Sequence, residues 1–346
     1  MQATILVTGG AGFIGSNFVR YILHALPDAR VIVLDKLTYA GNLDNLSQMS
    51  SNERFTFIHG DICDPTIVAQ AMRSCDWVVH FAAETHVDRS ILDASAFVRT
   101  DVEGTFVLLE AARKQGISRF IQISTDEVYG NAEAPDGTSR PSLETDALKP
   151  LSPYAASKAG ADRLAFSYWA TYGLPVIITR CSNNYGPYQY PEKQLPLFIL
   201  NALAGRPIPV YGDGQNTRDW IHVDDHSAAL LTLLQAPPTQ VLGEVFNIGS
   251  GDERSILEDA RLILKHLELP ESLITFVPDR PGHVRRHAVD TTKLNETLGW
   301  APTIPFEAGM RETIAWYCSH QDWLQRLLSR HDAFLNQALS LGTHLV

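Results

Sequence analysis

A glycine-rich turn close to the N-terminus restricts the fold of this chain more than any other feature. The chain reads Thr-Gly-Gly-Ala-Gly-Phe-Ile-Gly at 8–15, directly after the apolar run 5–7 and at the start of a predicted helix over 13–26. Glycines at this spacing allow a tight turn and let backbone N–H groups approach a pyrophosphate, which the positive end of the helix also attracts. A strand, a glycine turn and a helix in this order predict the first unit of a Rossmann-type sheet.

An acidic residue at the end of the second predicted strand indicates which dinucleotide the turn binds. Asp35 stands about 20 residues beyond the last glycine, where a carboxylate accepts hydrogen bonds from the adenosine ribose and repels a 2′-phosphate. The sequence therefore favours NAD over NADP, and the following Lys36 weakens that preference slightly. Four residues after the third and fourth strands are expected to line the same site: Asp61, Ile62, Ala82 and Ala83.

The spacing of apolar segments predicts an α/β fold with a Rossmann-type, doubly wound parallel sheet. Short apolar runs typical of buried strands alternate with longer helical patterns through the first half of the chain. The predicted strands are 5–7, 31–34, 55–58, 77–80, 120–123 and 176–179, and the predicted helices are 13–26, 66–73, 94–115 and 153–172.

After about residue 186, frequent Pro, Gly and Tyr residues indicate a smaller, partly discontinuous substrate-binding domain. A helix over 221–234 and a strand over 245–248 are expected to return to the first domain. The sequence thus predicts an NAD-binding domain at 1–185 with about 220–250, and a substrate-binding domain at 186–219 and 251–346. An amphipathic helix is also expected over 322–339.

Charge and composition exclude several classes of protein. The formal net charge of −11 argues against a nucleic-acid binder, which needs a basic surface, whereas local Arg, Lys and helix N-termini can still hold a small anion. The four cysteines are scattered, so we expect no metal site and reduced thiols in the cytoplasm. No signal peptide and no apolar run near the ~20 residues of a membrane span is present, so we expect no membrane contact.

Hydroxyl, acidic and basic side chains follow the fifth predicted strand. Thr125, Asp126 and Glu127 stand at its end, and Tyr154 and Lys158 lie four residues apart on one face of the next long helix. We expect the Lys158 ammonium to lower the pKa of the Tyr154 phenol. Tyr154 can then take the proton of a sugar hydroxyl while the sugar carbon that bears this hydroxyl gives hydride to a nicotinamide. The two adjacent carboxyls can act as proton donor and acceptor, because close like charges push their pKa values apart.

Five motifs carry a resemblance to a known family. They are Thr-Gly-Gly-Ala-Gly-Phe-Ile-Gly at 8–15, Ala-Ala-Glu-Thr-His-Val-Asp-Arg-Ser at 82–90, Ser-Thr-Asp-Glu-Val-Tyr-Gly at 124–130, Tyr-Ala-Ala-Ser-Lys at 154–158 and Ser-Asn-Asn-Tyr-Gly-Pro at 182–187. Together, over residues 2 to about 318, they resemble extended short-chain dehydrogenase/reductases, and within them the nucleoside-diphosphate-glucose 4,6-dehydratases, most closely those acting on dTDP-glucose. Epimerases of this fold carry small or neutral residues in place of Asp126 and Glu127.

The resemblance implies a reaction and a role for each catalytic residue. Tyr154 oxidises C4 of the sugar with hydride passing to NAD⁺, Glu127 removes the C5 proton, and protonated Asp126 donates to the departing C6 hydroxyl. Hydride then returns to C6, giving dTDP-4-keto-6-deoxyglucose. A homodimer through the helices around 94–115 and 154–172 is also implied. The expected cofactor contacts are Gly9, Gly12, Phe13, Ile14, Gly15, Asp35, Lys36, Thr38, Asp61, Ile62, Ala82, Ala83, Thr100, Tyr154 and Lys158.

The resemblance places most substrate contacts in the second half of the chain. Pro209 and Tyr211 offer a flat apolar surface for a pyrimidine, and Arg218 can hold a diphosphate with paired hydrogen bonds. Three positions depart from the common family pattern of Asp, Tyr and Asn, and thymine versus uracil stays open: Val284, His287 and Asp252. The expected substrate contacts are His86, Ser90, Thr125, Asn184, Glu192, Lys193, Leu195, Pro209, Tyr211, Arg218, Asp252, Arg280 and His283.

Two other functions are compatible with parts of this pattern. An NAD-dependent epimerase or decarboxylase acting on a UDP-sugar uses the same scaffold, and the fold alone does not exclude it. Asp126 and Glu127 are the residues that separate these enzymes from a dehydratase. A non-enzymatic NAD sensor would not need the complete set of Thr125, Tyr154 and Lys158.

Overall fold

A seven-stranded parallel sheet forms the centre of the structure, a computed structural model that describes residues 3–132, 139–279 and 283–329. The strands along the described chain are β1 (Thr4–Thr8), β2 (Arg30–Asp35), β3 (Phe55–His59), β4 (Trp77–His80), β5 (Arg119–Thr125), β6 (Val176–Cys181), β7 (Asn183–Tyr185), β8 (Ile208–Tyr211), β9 (Thr217–His222), β10 (Val245–Ile248), β11 (Glu253–Ser255), β12 (Ile274–Val277) and β13 (Arg286–His287). In space the large sheet runs β10–β6–β5–β4–β1–β2–β3, and all its neighbouring strands are parallel.

Helices cover both faces of this sheet. The helices are α1 (Phe13–Ala25), α2 (Pro65–Ala71), α3 (Val87–Leu92), α4 (Ser95–Phe97), α5 (Thr105–Gln115), α6 (Pro153–Tyr172), α7 (Gln194–Leu203), α8 (Val223–Gln235), α9 (Pro238–Val241), α10 (Ile256–His266), α11 (Thr292–Leu298) and α12 (Phe306–Ser319). Ile5 and Val7 of β1 pack in one apolar cluster with α1 and α8, whereas Leu6 packs in another with α2, α5 and α6. Because side chains alternate along a strand, the two clusters lie on opposite faces, and the predicted doubly wound sheet is confirmed.

The predicted helix over 94–115 is helical but not uniform. Val98–Gly104 adopts π-helical geometry between α4 and α5. The hydroxyl of Thr105 donates to the carbonyl of Asp101 within this wider turn. Hydrophobic periodicity predicts a helix but does not reveal a single wide turn, and such turns are frequent at functional sites.

Strands after residue 181 form two smaller sheets. β9 pairs with β7, β11 and β13, and β8 pairs with β12. An apolar cluster that includes Tyr185, Trp220 and Phe306 packs this part of the chain. β10 pairs with β6, so the expected return to the large sheet is confirmed. The domain boundaries themselves stay a prediction.

Two predicted helices differ from the structure at their ends. The helix expected over 221–234 begins at Val223, because β9 runs to His222, whose side chain accepts a hydrogen bond from the N–H of Asp224. Of the helix expected over 322–339, residues 321–329 are helical and the remainder lies outside the described residues. Within the described ranges, no helix has the length and apolar character needed to cross a membrane.

Candidate active site

The glycine turn between β1 and α1 leaves no room for side chains. A Cβ atom on Gly9 would lie 2.5 Å from the backbone nitrogen of Ala82, and one on Gly15 would overlap the carbonyl oxygen of Gly9. Gly9 also has a φ of +70°, which favours glycine. α1 starts from Gly12, which has no side chain to cap the helix. This open helix N-terminus fits the pyrophosphate of a dinucleotide.

Asp35 borders the same turn from the end of β2. Its buried carboxylate accepts hydrogen bonds from the backbone N–H groups of Ala11 at 2.9 Å and Leu37 at 2.8 Å. Burial raises the pKa of Asp35, and these two N–H groups act in the opposite direction. Lys36 forms an ion pair with Asp61, with 2.6 Å between Nζ and Oδ2. The acidic residue expected to meet the adenosine ribose therefore stands against the glycine turn.

The other expected cofactor residues are spread around this edge. Ile62 packs against Gly104, where a Cβ atom would lie 2.5 Å from its side chain, and Thr100 is in the π-helical segment next to it. Phe13 and Ile14 begin α1 and are half-buried, whereas Thr38 is exposed after β2. Ala83 is half-buried beside Ala82. Contacts of these residues with a cofactor stay a prediction.

The two adjacent carboxyls stand in different surroundings at the end of β5. Asp126–Tyr129 forms a 3-10 helix that Thr125 caps by accepting a hydrogen bond from the N–H of Glu127 at 3.3 Å. The same hydroxyl donates to Oδ1 of Asp126 at 3.1 Å. Burial, Glu127 and Asp219 raise the pKa of Asp126 to about 8, while Glu127 is half-buried. Asp126 is therefore protonated at neutral pH.

Tyr154 and Lys158 lie in the first two turns of α6, as their spacing predicts. Ser152 caps this helix by accepting a hydrogen bond from the N–H of Ala155 at 3.1 Å. The ammonium of Lys158 is buried and donates to the carbonyl of Ile123 in β5 at 2.6 Å. This contact fixes α6 against the strand that leads to Asp126.

The pKa of Tyr154 is raised in the protein alone, so the net lowering expected from its pairing with Lys158 is not found. Burial raises that pKa well above its usual value, and the nearby Glu127, Asp101 and Asp126 raise it further. Burial also lowers the pKa of Lys158. The spacing of two residues does not show how deeply they are buried or how many acids surround them, and here burial and the nearby acids together raise the pKa of Tyr154.

The loop after β4 connects to two expected substrate residues. Arg89 forms an ion pair with Glu192 at 3.0 Å, and the ammonium of Lys193 donates to the hydroxyl of Thr85 at 3.4 Å. His86 adopts a φ of +90°, a strained value for a residue with a side chain. Ser90 is buried and donates to the carbonyl of Val87 in its own helix at 2.6 Å. The structure thus brings 85–90 and 192–193 together.

Arg218 and Asn184 are buried near the acidic pair. Arg218 interacts electrostatically with Asp126 and lowers its pKa, against the larger effect of burial. Oδ1 of Asn184 contacts Nδ1 of His226 at 2.8 Å. His287, one of the departures from the family pattern, pairs with Arg218 in the register of β13 and β9. These contacts place the second half of the chain against the catalytic residues.

The remaining expected substrate residues divide into three groups. Tyr211 and His283 are in edge-to-face ring contact at 6.0 Å, and half-buried Pro209 lies in the same strand as Tyr211. Leu195 is fully buried in the apolar cluster around Tyr185, so its side chain packs the core. The last group contains exposed Asp252 and Arg280, which lies outside the described residues; Val284, a departure from the family pattern, is half-buried.

Comparison with known proteins decides the family. A family model described as GDP-mannose 4,6 dehydratase matches residues 6–313. A dTDP-glucose 4,6-dehydratase from Streptomyces niveus is 49% identical, over 95% of this chain and 97% of its own. The solved structure of DesIV, a dTDP-glucose 4,6-dehydratase from Streptomyces venezuelae with NAD bound, has a TM-score of 0.89 and 47% identity, covering 94% of this chain and 99% of the other.

The chain belongs to the dTDP-glucose 4,6-dehydratase family. This confirms the resemblance carried by the five motifs. A UDP-glucose 4-epimerase from Thermotoga maritima shares the fold with a TM-score of 0.83, but is 31% identical over 91% of this chain and 98% of its own. Family membership therefore favours the dehydratase over the epimerase, in agreement with the pair Asp126 and Glu127.

Sequence reasoning missed Asp101, a buried acid beside the dehydratase site. Its carboxylate accepts hydrogen bonds from the hydroxyl of Ser157 at 2.6 Å and from the N–H of Glu84 at 2.9 Å. Burial raises the pKa of Asp101 to about 6, and Lys158 lowers it. One signal was available in the sequence, because Asp101 follows buried Phe97 by four residues and so lies on the apolar face of the helix.

Proposed function

We propose that this chain catalyses the NAD-dependent dehydration of dTDP-glucose to dTDP-4-keto-6-deoxyglucose. The observation that carries the proposal is the pair at the end of β5, where Asp126 is buried with a raised pKa and Glu127 is half-buried. One protonated and one more exposed carboxyl supply the donor and acceptor that removal of water requires. The chain is similar to dTDP-glucose 4,6-dehydratases, which supports dTDP-glucose as the substrate.

The residues around the glycine turn fit NAD. Gly9, Gly12 and Gly15 leave space for the pyrophosphate at the start of α1, and Asp35 accepts hydrogen bonds from the adenosine ribose. NAD⁺ supplies an acceptor for the C4 hydride, a donor of the same hydride to C6, and a positive ring that favours the Tyr154 phenolate. Solved relatives with NAD bound support this assignment.

Tyr154 is the base of the oxidation half of the reaction. It takes the proton of the C4 hydroxyl while that carbon loses its hydride, and the hydroxyl of Thr125 holds the same oxygen. Lys158 anchors this turn of α6 to the carbonyl of Ile123 and brings a positive charge into a buried site. The charge is needed because burial and the surrounding acids raise the pKa of the phenol and so favour its neutral form.

Glu127 and Asp126 perform the elimination half. The new C4 ketone acidifies the C5 proton, which Glu127 removes. Asp126 gives its proton to the C6 hydroxyl, which leaves as water, so the C5–H and C6–O bonds break together with formation of a C5=C6 bond. Return of hydride to C6 and of a proton to C5 completes the product. Asp126 suits the acid role because burial keeps it protonated.

The sugar nucleotide is held by residues from both halves of the chain. We assign the pyrimidine to Pro209 and Tyr211 and the diphosphate to Arg218, which lies within electrostatic reach of Asp126. The loop around His86 and the adjoining Glu192 form the wall next to the hexose. The further assigned contacts are Ser90, Asn184, Lys193, Asp252, Arg280 and His283, and Leu195 is left out because its side chain is buried in the apolar cluster.

Deuterium labelling tests the proposed function directly. The purified protein with NAD is incubated with dTDP-glucose carrying deuterium at C4, and the product is analysed by mass spectrometry and NMR. The expected product is a 4-keto-6-deoxy sugar nucleotide with the deuterium at C6. Release of the deuterium to solvent, or a galactose product, would contradict the proposal. A parallel incubation with UDP-glucose measures the preference for thymine over uracil in the nucleotide.

We also propose that the chain forms a homodimer through the helices around 95–115 and 153–172. Val98 and Phe106 are 57% and 47% exposed there, and Phe166 of α6 is 37% exposed. An apolar groove opens between these helices. Light scattering should show a dimer that Phe106→Glu dissociates. The control Phe276→Glu changes a ring on β12 that is 56% exposed, and it should leave the dimer intact.

A cytoplasmic location is proposed from the cysteines. Cys63, Cys75, Cys181 and Cys318 are all free thiols, and burial raises the pKa of Cys75 and Cys181 to about 12. Unpaired cysteines are typical of proteins in a reducing compartment. Cell fractionation with NAD-dependent activity as the marker tests this assignment.

A further inference from the structure

A buried polar network lies behind the catalytic residues and connects the two elements that carry them. Arg180 of β6 is 1% exposed and directs its guanidinium to two sides. Its Nε donates to Oδ2 of Asp162 at 2.8 Å, and its Nη2 donates to Oδ1 at 3.2 Å. Its Nη1 donates to the hydroxyl of Tyr129 at 2.8 Å. Arg180 thus joins Asp162 in α6 to Tyr129 in the 3-10 helix.

The positions of Asp162 and Tyr129 give this link its significance. Asp162 follows Tyr154 and Lys158 at intervals of four residues, so the three side chains share one face of α6. Tyr129 ends the 3-10 helix that starts at Asp126. The pair that oxidises C4 and the pair that removes water are therefore held by opposite ends of one network.

The network is also fixed to the rest of the sheet. The hydroxyl of Tyr129 donates to Oδ1 of Asn247 in β10 at 2.8 Å, and the backbone N–H of Asn247 donates to Oε1 of Glu144 at 2.9 Å. Asp162 is fully buried, and Arg180 pairs with it in two hydrogen bonds. Because buried charges need such partners, each member holds the others in a single arrangement.

We propose that Tyr129, Arg180 and Asp162 are positioning residues that set the distance between the acid–base pair Asp126–Glu127 and the pair Tyr154–Lys158. The inference rests on the proposed function, in which the two pairs act in turn on neighbouring carbons of one hexose. Oxidation needs α6, the cofactor site and the hydroxyl of Thr125 at the end of β5, whereas elimination also needs the two carboxyls of the 3-10 helix in register with the oxidised sugar. Loosening the link should therefore slow elimination more than oxidation.

Tyr129→Phe tests the link with the smallest change, since it removes only the hydroxyl. Tyr168→Phe is the matched control. Tyr168, like Tyr129, is buried, but it lies on α6 and its hydroxyl donates to Oε1 of Glu110 at 2.8 Å, away from the 3-10 helix. Single turnovers with dTDP-glucose are quenched with sodium borodeuteride. Mass spectrometry then separates the oxidised hexose that still carries its C6 hydroxyl from the 6-deoxy product.

The expected result for Tyr129→Phe is accumulation of the 4-keto hexose nucleotide, with kcat reduced roughly 10- to 100-fold and KM unchanged. Tyr168→Phe should show neither effect. Arg180→Lys, which keeps the charge but not the paired hydrogen bonds, should accumulate the same species. A merely structural role would lower the melting temperature and slow both steps alike.

Two negative outcomes are distinguishable. If the unmodified enzyme forms neither the keto hexose nor the 6-deoxy product from dTDP-glucose, the proposed function fails and the inference with it. If the unmodified enzyme turns over normally and Tyr129→Phe accumulates no keto hexose, the positioning role alone is rejected. Circular dichroism and NAD titration of both Phe variants establish that they are folded.

Discussion

Two buried aspartates stand at the carboxyl ends of strands in the same sheet, one in each half of the site. Asp35 ends β2 at the cofactor turn, and Asp126 follows β5 at the catalytic turn. Their exposed fractions are similar, 8% and 4%. Their hydrogen-bond partners differ. Asp35 accepts hydrogen bonds from two backbone N–H groups, whereas Oδ2 of Asp126 has no partner among the described residues.

The difference shows that burial alone does not determine the protonation state of a carboxyl. Two N–H groups oppose the effect of burial on the pKa of Asp35, and they favour the charged form that a ribose contact needs. Burial, Glu127 and Asp219 raise the pKa of Asp126 to about 8, and the single hydroxyl donor of Thr125 only partly opposes them. The same residue type is thus an acceptor in one place and a proton donor in the other.

Asp126→Asn should have the largest effect of the changes that test this comparison. The amide keeps the shape and a hydrogen-bond donor but has no proton to give, so kcat should fall roughly 10²- to 10⁴-fold. NAD affinity, measured by titration calorimetry, should be unchanged because Asp35 and the glycine turn are intact. Exchange of the C5 proton with solvent should persist, since Glu127 remains. A kcat near the unmodified value would mean that another group donates the proton.

Asp35→Ala should have the next largest effect, on binding and stability together. It leaves the N–H groups of Ala11 and Leu37 without their acceptor, which costs about 1–3 kcal/mol for each buried group. Urea unfolding should detect this loss, and titration should show weaker NAD binding.

Asp64→Ala is the matched control for the Asp35 variant. Asp64 caps α2 by accepting hydrogen bonds from the N–H groups of Thr66 and Ile67 at 2.8 and 3.3 Å. Its loss should cost about 1 kcal/mol without any effect on NAD binding. Equal NAD affinities in the two variants would show that Asp35 does not contribute to NAD binding.

The comparison also shows what could be predicted from the sequence. The glycine turn, the strand before it and the acid after β2 are local features, and alternation of apolar runs was sufficient for the large sheet. The raised pKa of Asp126 depends mainly on burial and in part on Asp219, which lies in a distant strand that the motif does not contain. Local pattern therefore indicated the proposed catalytic residues but not the surroundings that set their charge.

Tyr154 and Lys158 show the same limit within a single helix. Their spacing correctly placed both on one face of α6. The acceptor of the Lys158 ammonium is the carbonyl of Ile123, a backbone group that no side-chain pattern reveals. The spacing from Phe97 indicates the face on which Asp101 lies, but not its contacts with Ser157 and Glu84, which are distant in the sequence. Long-range packing, not residue type, determined these parts of the site.

The pH dependence should distinguish the two aspartates. Asp126 must be protonated to act, so kcat should fall about tenfold for each pH unit above its pKa of about 8. This pKa lies above that of Asp in the unfolded chain, which is about 4. The contribution of Asp126 to the free energy of unfolding is therefore fully present below pH about 4, and it is lost as pH rises through 8. Urea titrations of the unmodified protein and Asp126→Asn across this range should differ in slope. If the free energies of unfolding of the two proteins changed in parallel with pH, Asp126 would not be the group that titrates near pH 8.

Ser152→Ala should have the smallest effect, and it compares the starts of the two helices that carry the site. α1 starts from Gly12 without a side-chain cap, whereas Ser152 caps α6 through the N–H of Ala155. Loss of this cap should lower the free energy of unfolding by about 1 kcal/mol. Ser255→Ala, which removes the cap of α10 at the N–H of Glu258, should cost a similar amount. NAD affinity should be unchanged in both variants, because only the uncapped helix is open to the pyrophosphate. Weaker NAD binding in Ser152→Ala alone would show that the start of α6 also belongs to the cofactor site.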